Sequence, residues 1–376
     1  MIGVLVVDDS VVVRKLIVDA LASAPGIQVV GTAANGLLAQ AKIDQLRPDV
    51  VTMDIEMPGM NGIEAVRELR KRHARLPVIM FSTLSAAGAS ATLEALAAGA
   101  TDYVTKPSNV GSIAESIAAV REQMVPKINA LARRSLPAAK APPAAPARPG
   151  AAKRPISPAS RGSAAKAVPP PVRRGPQGRV DLIAVGSSTG GPDALTKVLL
   201  GLPPDLPVPI VVTQHMPPVF TKMFAERLDR STPLHVVEAT EGMDLTPGTV
   251  YIAPGDKHLV LHRKGTAVVT QLSGAPPENS CRPAVDVMFR SVAQVYGGSA
   301  YAAVLTGMGH DGRGGAKVMR DAGAEVLAQD EASSVVWGMP GAVVQAGLAD
   351  EVLPLDRIAS GLITRLKVGR SAAVAR

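Results

Sequence analysis

Residues 182–192 read LIAVGSSTGGP. The apolar run Leu182–Val185 has the length and composition of a buried strand, and the glycines after it are typical of a tight turn. A helical pattern then runs from Pro192 to Leu200. A strand that passes through one turn into a helix is the building unit of a parallel α/β sheet, so this stretch predicts an α/β domain.

The same alternation of strands and helices extends in both directions along the chain. Residues 1–125 contain five strand patterns, and residues 180–370 contain six. We therefore expect an α/β fold in both regions: a parallel sheet between two layers of helices in 1–125, and a doubly wound α/β domain with a mixed sheet in 180–370. The eleven strand patterns are Val4–Val7, Gln28–Ala33, Asp49–Met53, Val78–Phe81, Asp102–Val104, Leu182–Val185, Ile210–Thr213, Val250–Ile252, Ala267–Gln271, Ala302–Leu305 and Glu325–Ala328.

Residues 126–179 form the expected linker between the two domains. Their last 47 residues, 133–179, contain 11 Lys or Arg and 11 of the 32 prolines, with no Asp or Glu. Without this segment the chain has 29 basic and 32 acidic residues, so the formal charge of +8 becomes −3. Such a composition buries too little apolar surface to offset the entropy of ordering, which predicts a disordered Pro/Ala/basic spacer. The alternative is a basic arm that binds an acidic partner or membrane lipid.

Composition argues against several classes of protein. The single cysteine, Cys281, rules out an internal disulfide and fits a reducing cytoplasm. No apolar run reaches the roughly 18–20 residues that span a bilayer, and the N-terminal run lacks the basic leader of a signal peptide. We therefore expect a cytoplasmic protein with no membrane insertion. The basic segment has no aromatic residues for stacking on bases, and no recognition-helix pattern follows it, so we expect no nucleic-acid partner.

Acidic and polar side chains follow the predicted strands of the first domain. Asp8 and Asp9 follow one strand, Asp54 a second and Ser82 a third, and Lys106 lies after a fourth. The carboxyl ends of parallel strands meet at one sheet edge, where three carboxylates repel one another unless a cation such as Mg²⁺ lies among them. One carboxylate can then attack a phosphoryl group whose charge Lys106 neutralises. An Asp alone at a strand end is more often a cap or turn residue, but five such residues at five separate strand ends argue against that interpretation.

Four stretches of the first domain together resemble a response-regulator receiver domain, which is flavodoxin-like: Val7–Ser10, Met53–Gly62, Phe81–Ser82 and Thr105–Pro107. The resemblance covers residues 1–125. It implies that Asp54 is the phospho-acceptor, and that Asp8, Asp9, Asp54 and the Glu56 backbone carbonyl bind Mg²⁺. It further implies that Lys106 contacts the phosphoryl group, that Ser82 is the switch hydroxyl and that Tyr103 is the aromatic residue that follows the switch.

Ser188 lies at the centre of a G-x-S-x-G pattern in the second domain. The turn would lift the Ser188 hydroxyl above the sheet edge, near N–H groups of a helix N-terminus that can stabilise an oxyanion. A dinucleotide-binding loop is the alternative for a glycine-rich turn after a strand. That alternative is weakened because G-x-G-x-x-G is missing, and because Gln214 and His215 stand where a ribose-binding acid is expected.

A serine nucleophile needs a base, and the chain has six histidines. His215 directly follows the strand pattern Ile210–Thr213, which places it at the same sheet edge as Ser188. Asp311 is a candidate to orient the base, since the members of a triad are defined by geometry and not by their order in the chain. His310, the residue before Asp311, is a rival base.

Four stretches of the second domain carry another resemblance: Gly186–Pro192, Gln214–Pro217, Val250–His258 and Thr306–Gly312. Residues 180–368 resemble the catalytic domain of the chemotaxis receptor methylesterase family (CheB). The resemblance implies that Ser188 is the nucleophile, His215 the base and Asp311 its orienting partner. It also implies a backbone oxyanion donor near Met308 and support of the base by Thr189. Ser187 departs from the family pattern, where a small apolar residue is expected, and is therefore a rival nucleophile.

Together the two resemblances imply a phosphorylation-activated serine hydrolase. It would demethylate glutamate methyl esters on methyl-accepting chemoreceptors, and could also deamidate receptor glutamines. A sensor histidine kinase would be the phosphodonor, with Mg²⁺ as cofactor in the receiver and none in the catalytic domain. We also expect the unphosphorylated receiver to cover the active-site edge. The rival function is a catalytically silent adaptor that binds receptors when phosphorylated, and a DNA-binding response regulator is a weaker third.

Overall fold

The computed structural model describes residues 1–107, 112–135 and 178–370. The expected disordered linker lies outside the described residues over 136–177. Within the described ranges, no helix combines the length and the apolar character that crossing a bilayer requires.

The first domain is a five-stranded parallel sheet in the order β2-β1-β3-β4-β5, with helices on both faces. This order is that of the flavodoxin-like fold, and it confirms the fold predicted for the receiver region. The elements are β1 (Ile2–Val7), α1 (Val11–Ala22), β2 (Ile27–Ala33), α2 (Gly36–Leu46), β3 (Val50–Asp54), α3 (Gly62–Arg72), β4 (Val78–Ser82), α4 (Ala86–Ala97), β5 (Asp102–Thr105) and α5 (Ile113–Ser135).

The last helix of this domain is longer than the sequence predicted. We expected the domain to end at residue 125 and the linker to begin at 126, but α5 continues to Ser135 through Pro126. The reason is an apolar stripe at helical spacing, since Val120, Met124, Ile128 and Leu131 are all buried against the sheet. The free energy gained by burying these side chains outweighs the cost of Pro126, since proline usually ends or kinks a helix.

The second domain is built on a seven-stranded sheet in the order β14-β13-β12-β6-β7-β9-β8. Every pairing in this sheet is parallel, so the expectation of a mixed sheet was wrong. The antiparallel strands β10 and β11 pair only with each other among the described strands, as a separate hairpin.

Helices flank the seven-stranded sheet and connect its strands. The elements are β6 (Leu182–Ser187), α6 (Gly191–Leu200), β7 (Ile210–Gln214), α7 (Phe220–Ser231), β8 (His235–Glu238), β9 (Thr249–Ile252), β10 (His258–Lys264), β11 (Ala267–Ser273), α8 (Val285–Tyr296), β12 (Ala300–Val304), α9 (Arg313–Asp321), β13 (Glu325–Gln329), α10 (Met339–Gln345), β14 (Glu351–Leu353) and α11 (Leu355–Lys367). The domain is therefore doubly wound, as the sequence predicted.

Strand order explains where a site can form in the second domain. β6 lies at the centre, with β7 on one side and β12 on the other. The chain leaves β6 toward β7 and later returns to pair β12 on the opposite side, so the direction of winding reverses at β6. Ligand sites of doubly wound sheets form at the carboxyl ends of strands beside such a reversal.

Candidate active site

Loops after the three central strands hold Ser188, His215 and Asp311. Ser188 follows β6 directly, His215 follows β7 directly, and Asp311 lies in the loop between β12 and α9. The loops are joined by backbone hydrogen bonds, since the Ser188 N–H donates to the Thr306 carbonyl at 3.0 Å and the His215 N–H donates to the Ser187 carbonyl at 3.1 Å. The sequence-predicted residues therefore gather at one sheet edge.

The two adjacent serines have different environments. Ser187 is fully buried, and its hydroxyl donates to Oε1 of Gln214 at 2.7 Å. The amide of Gln214 in turn donates to the Ser188 carbonyl at 3.0 Å. Ser188 is only half-buried, so Ser187 fixes the turn while Ser188 is the serine that a substrate can reach.

Glycine at position 191 makes room for this arrangement. A Cβ atom on Gly191 would lie 2.0 Å from Oε1 of Gln214, well inside van der Waals contact. Any side chain there would push Gln214 away from both serines. Gly191 is the first residue of α6, so the start of the helix and the anchoring of the serine turn depend on the same residue.

Asp311 is buried and accepts hydrogen bonds at both carboxylate oxygens. Oδ2 accepts from Nε2 of His215 at 2.8 Å and from the Val285 N–H at 2.7 Å. Oδ1 accepts from the Asp286 N–H at 3.0 Å and from the Asn279 side-chain amide at 2.9 Å. Burial opposes the negative charge, but the hydrogen bond and charge of His215 and the N–H groups at the start of α8 outweigh it and lower the pKa of Asp311.

His215 contacts a different residue through each ring nitrogen. Nε2 faces Asp311, and Nδ1 lies 3.5 Å from Sγ of Cys281. Burial disfavours the charged ring, but hydrogen bonds and charge at Asp311 and Cys281 outweigh burial and raise the pKa of His215 to about 9. Both neighbours therefore favour the protonated form of the imidazole.

No hydrogen bond joins the Ser188 hydroxyl to His215 within the described residues. The structure therefore forms the His215–Asp311 half of the expected triad, and the bond between Ser188 and His215 stays a prediction. His310 is exposed, and no described side-chain hydrogen bond connects it to Ser188 or Asp311. His215 is thus the histidine that Asp311 orients.

A tightly packed glycine loop lies against Ser188. A Cβ atom on Gly307 would meet Cβ of Ser188 at 2.9 Å and Sδ of Met339 at 2.3 Å. The Gly307 carbonyl accepts from the N–H groups of Gly338 and Met339, which fixes the loop from behind. Met308, the residue after Gly307, is half-buried. Its role as an oxyanion donor stays a prediction.

Thr189 contacts the receiver domain. The sequence predicted that Thr189 supports the base by hydrogen bonding, but its hydroxyl donates instead to Oδ2 of Asp102 at 2.8 Å. Asp102 also accepts from Nζ of Lys127 at 2.7 Å. Sequence reasoning could not foresee this bond, because its partners are 87 residues apart and belong to different domains.

Tyr103 forms the apolar part of the same domain contact. Its ring stacks on Phe220 of the catalytic domain, with centroids 4.9 Å apart and planes 7° from parallel. Burial, followed by the charge of Asp102, raises the pKa of Tyr103 well above its usual value. The receiver therefore lies against the residue next to Ser188 and the first residue of α7, with Tyr103, the predicted switch aromatic, inside the contact.

The acidic residues of the receiver form a second site. Carboxylate oxygens of Asp8, Asp9 and Asp54 lie within 4.8 Å of one another. Nζ of Lys106 lies 2.8 Å from Asp54 and 3.5 Å from Asp8. Burial and then the charge of Asp54 raise the pKa of Asp8 to about 6, against the opposing effect of Lys106.

These oxygens suit a hard divalent cation. Oδ2 of Asp8 is buried and has no hydrogen-bond partner among the described residues, which a cation between the carboxylates would supply. Mg²⁺ therefore fits the donor set. The Glu56 side chain is exposed, and its backbone carbonyl as a ligand stays a prediction.

Gly62 and Ser82 lie where strands of the receiver meet neighbouring helices. Gly62 is the first residue of α3, which follows β3, and Ser82 is the last residue of β4, which precedes α4. A Cβ atom on Gly62 would lie 2.0 Å from the Asp54 carbonyl, so only glycine lets α3 begin against the end of β3. The Ser82 hydroxyl is buried and donates to the Gly88 carbonyl in α4 at 3.1 Å. The predicted switch hydroxyl thus contacts the helix that packs on the catalytic domain, rather than Asp54.

Comparison with known proteins identifies both domains. The family model "CheB methylesterase" matches residues 183–362, and the model "Response regulator receiver domain" matches residues 4–118. A protein-glutamate methylesterase/protein-glutamine glutaminase of Nocardioides sp. strain JS614 is 52% identical over 97% of this chain and 95% of its own. The chain belongs to the CheB methylesterase family.

A second full-length relative agrees with this assignment, and a solved structure of one domain is also similar to this chain. A protein of the same name from Trichodesmium erythraeum is 44% identical over 96% of this chain and 98% of its own. The crystal structure of the Thermotoga maritima CheB methylesterase catalytic domain is 45% identical, with a TM-score of 0.49, and covers 49% of this chain and 98% of its own. The predicted family and enzyme class, a hydrolase with a receiver domain, are confirmed.

Proposed function

We propose that this protein hydrolyses glutamate methyl esters of chemoreceptors through Ser188, and that its receiver domain suppresses this activity until Asp54 is phosphorylated. The observation that carries the proposal is the gathering of Ser188, His215 and Asp311 at the reversal point of the sheet, with the receiver bonded to the neighbouring residue Thr189. The silent-adaptor alternative has no observation in its favour.

The hydrolytic step uses the nitrogen of His215 that Asp311 does not occupy. Because Nε2 faces Asp311, Nδ1 accepts the Ser188 proton as Oγ attacks the ester carbonyl carbon. The same proton then leaves with the methoxy group as methanol. Water attacks the acyl-enzyme, Nδ1 takes a proton from that water, and its return to Oγ releases glutamate. With a glutamine substrate the leaving group is ammonia.

Charge stabilisation comes from groups already fixed in place. Asp311 is held by the N–H groups at the start of α8, so it stabilises the imidazolium without moving. The loop at Met308 and the start of α6 flank Ser188 and can offer N–H groups to the tetrahedral oxyanion. Such donors act strongly because they are oriented before the reaction begins.

Phosphorylation takes place at the acidic site of the receiver. Asp54 attacks the phosphoryl group of a donor, which in the cell is a sensor histidine kinase, and Lys106 neutralises the phosphoryl oxygens. Mg²⁺, held by Asp8, Asp9 and Asp54, would supply further charge neutralisation when bound. Since receptors present these esters on the cytoplasmic side, the protein acts in the cytoplasm.

The test of the nucleophile compares two neighbouring serines. Ser188→Ala should abolish methanol release from methylated receptor membranes, because it removes the attacking oxygen. Ser187→Ala is the matched control, because it removes a buried hydroxyl at the adjacent position. It should still release methanol, because the Ser188 hydroxyl remains, although loss of the bond to Gln214 loosens the turn and lowers stability by about 1 kcal/mol. Full methanol release by Ser188→Ala would refute the proposal.

A further inference from the structure

A tight turn over residues 278–281 reaches into the active site. Glu278 and Cys281 exchange backbone hydrogen bonds at 3.1 and 2.9 Å, and the two residues between them have left-handed backbones, with φ of 53° at Asn279 and 62° at Ser280. The turn directs Asn279 toward Asp311. It also places Cys281 against Nδ1 of His215.

Two ion pairs hold this turn in place. Arg290 in α8 donates to both carboxylate oxygens of Glu278, at 2.7 and 2.6 Å. Nε of Arg282, one residue after Cys281, donates to Asp256 at 2.9 Å. A two-bonded arginine–carboxylate pair fixes orientation as well as distance. The two ion pairs therefore fix the backbone before and after Cys281, and with it the position of the Cys281 thiol.

The distance between Cys281 and His215 suits a shared metal ion. Zinc bonds are about 2.3 Å to thiolate sulfur and about 2.0–2.1 Å to imidazole nitrogen, and a tetrahedral angle between them separates the two ligand atoms by about 3.6 Å. The observed Sγ to Nδ1 distance is 3.5 Å. The separation of the two ligand atoms therefore matches that of a shared zinc ion.

The other nitrogen of the ring is also arranged as in zinc sites. Histidine ligands of zinc usually donate their second ring N–H to a carboxylate, which fixes the tautomer and strengthens the ligand. Asp311 accepts from Nε2 at 2.8 Å in this way. Cys281 is half-buried, so an ion can reach the thiol from solvent.

We propose that Nδ1 of His215 and Sγ of Cys281 bind a Zn²⁺ ion that reversibly inhibits the hydrolase; this proposal rests on the function proposed above. Binding forms one Zn–N and one Zn–S bond and releases two protons to solvent, one from the Cys281 thiol and one from Nδ1 of the protonated imidazole, while water completes the coordination. The zinc takes the lone pair on Nδ1 that must accept the Ser188 proton. Mg²⁺ and Ca²⁺ prefer oxygen ligands and are not bound here.

The experiment measures metal binding and inhibition separately on the full-length protein, with excess Mg²⁺ present to saturate the receiver site. Binding is followed by zinc retained after dialysis, and by the thiolate-to-metal charge-transfer absorption when Co²⁺ replaces Zn²⁺. Inhibition is followed by methanol release in buffered free Zn²⁺, relative to the metal-free activity of each variant. The variants are Cys281→Ala and, as a matched control, His310→Gln, which removes an exposed histidine near Asp311.

We expect wild type and His310→Gln to bind one zinc that Cys281→Ala lacks, and to show the Co²⁺ charge-transfer band. We expect Cys281→Ala to need more than about 100-fold more Zn²⁺ for half-inhibition, since loss of even an indirect partner of a metal ligand costs about 10–100-fold in affinity. Equal inhibition of Cys281→Ala and wild type, or a Co²⁺ complex without the charge-transfer band, would overturn the proposal. If no protein releases methanol, the esterase proposal fails, and the binding data alone decide on zinc.

Discussion

The Thr189 hydroxyl donates a 2.8 Å hydrogen bond to the Asp102 carboxylate, which joins the residue after Ser188 to the first residue of strand β5 in the receiver. The next receiver residue, Tyr103, stacks on Phe220 in the same contact. A polar and an apolar contact from adjacent receiver residues therefore meet the active-site edge. Phosphorylation that moves β5 or α4 changes both contacts together.

Removal of the Asp102 carboxylate should activate the unphosphorylated protein. A hydrogen bond to a charged group contributes roughly 1.5–3 kcal/mol, which corresponds to about a 10- to 100-fold shift toward the undocked form. We expect Asp102→Ala to raise methanol release without phosphodonor by about tenfold or more. Lys71→Ala, which breaks an exposed ion pair with Glu68 within α3, is the control and should change nothing. An unchanged basal rate in folded Asp102→Ala would contradict the proposed role of this bond.

Loss of the aromatic stack should activate the enzyme to a smaller extent. A stacked pair contributes about 0.5–1.5 kcal/mol beyond its buried area. Tyr103→Ala should therefore raise the basal rate by at least about 2- to 10-fold. Tyr103 is the partner to change, because Phe220 is fully buried in the catalytic domain and its truncation would also destabilise that domain by about 3–5 kcal/mol. If Tyr103→Ala has the same basal rate of methanol release as wild type, the aromatic stack does not restrain the domains.

The pH dependence of hydrolysis should follow His215. Only the neutral imidazole accepts a proton. The value of kcat/KM should therefore rise with pH and level off above the His215 pKa of about 9. Cys281 contributes to that raised pKa. In Cys281→Ala the contact with Asp311 remains, and the rise of kcat/KM should occur at lower pH. The profiles are measured with a chelator present, to keep metal ions off Nδ1. If kcat/KM rises over the same pH range in wild type and Cys281→Ala, Cys281 does not affect the pKa of His215.

The same raised pKa has a consequence for stability. A histidine with a raised pKa in the folded state stabilises that state below its unfolded pKa of roughly 6.5, and the contribution is lost as pH rises through about 9. The alkaline range in which the base becomes active is thus also the range in which its bond to Asp311 stabilises the fold least.

Asn279 should act as a positioning residue for Asp311. Its amide donates to Oδ1 of Asp311 and to Asp286, both at 2.9 Å. Asn279→Gly suits the left-handed backbone and removes only the amide, so we expect kcat to fall about 10- to 100-fold with KM little changed. Ser280→Gly, at the other left-handed position of the turn, is the backbone control. An equal fall in both variants would assign the effect to the turn's flexibility and not to the amide.

Residues at strand ends were the ones that the sequence could predict. Ser188 and His215 directly follow apolar runs, and the geometry of parallel sheets then brings them to one edge. Asp54 and Lys106 were placed at the receiver site for the same reason. A short-range pattern was sufficient in these cases, because each residue needs only its own strand to fix its position.

Residues brought in by tertiary contacts alone gave no such signal. Asn279 and Cys281 lie on an irregular turn with neither strand nor helix periodicity, and their position depends on Arg290 and Asp256. The sequence around Asp102 predicts only the start of a strand. Its contact with Thr189 could not be predicted, because a contact between two domains leaves no periodic pattern in the sequence of either domain. The expected mixed sheet is not found, and the predicted strand Ala267–Gln271 belongs to a separate antiparallel hairpin.

The most direct measurement of the central claim is methanol release from methylated receptor membranes, with and without acetyl phosphate and Mg²⁺, by wild type and Asp54→Asn. If the docked receiver restrains Ser188 until Asp54 is phosphorylated, the phosphodonor stimulates wild type well above its basal rate and leaves Asp54→Asn at that basal rate. Equal rates of wild type with and without phosphodonor, or equal stimulation of Asp54→Asn, would contradict the account.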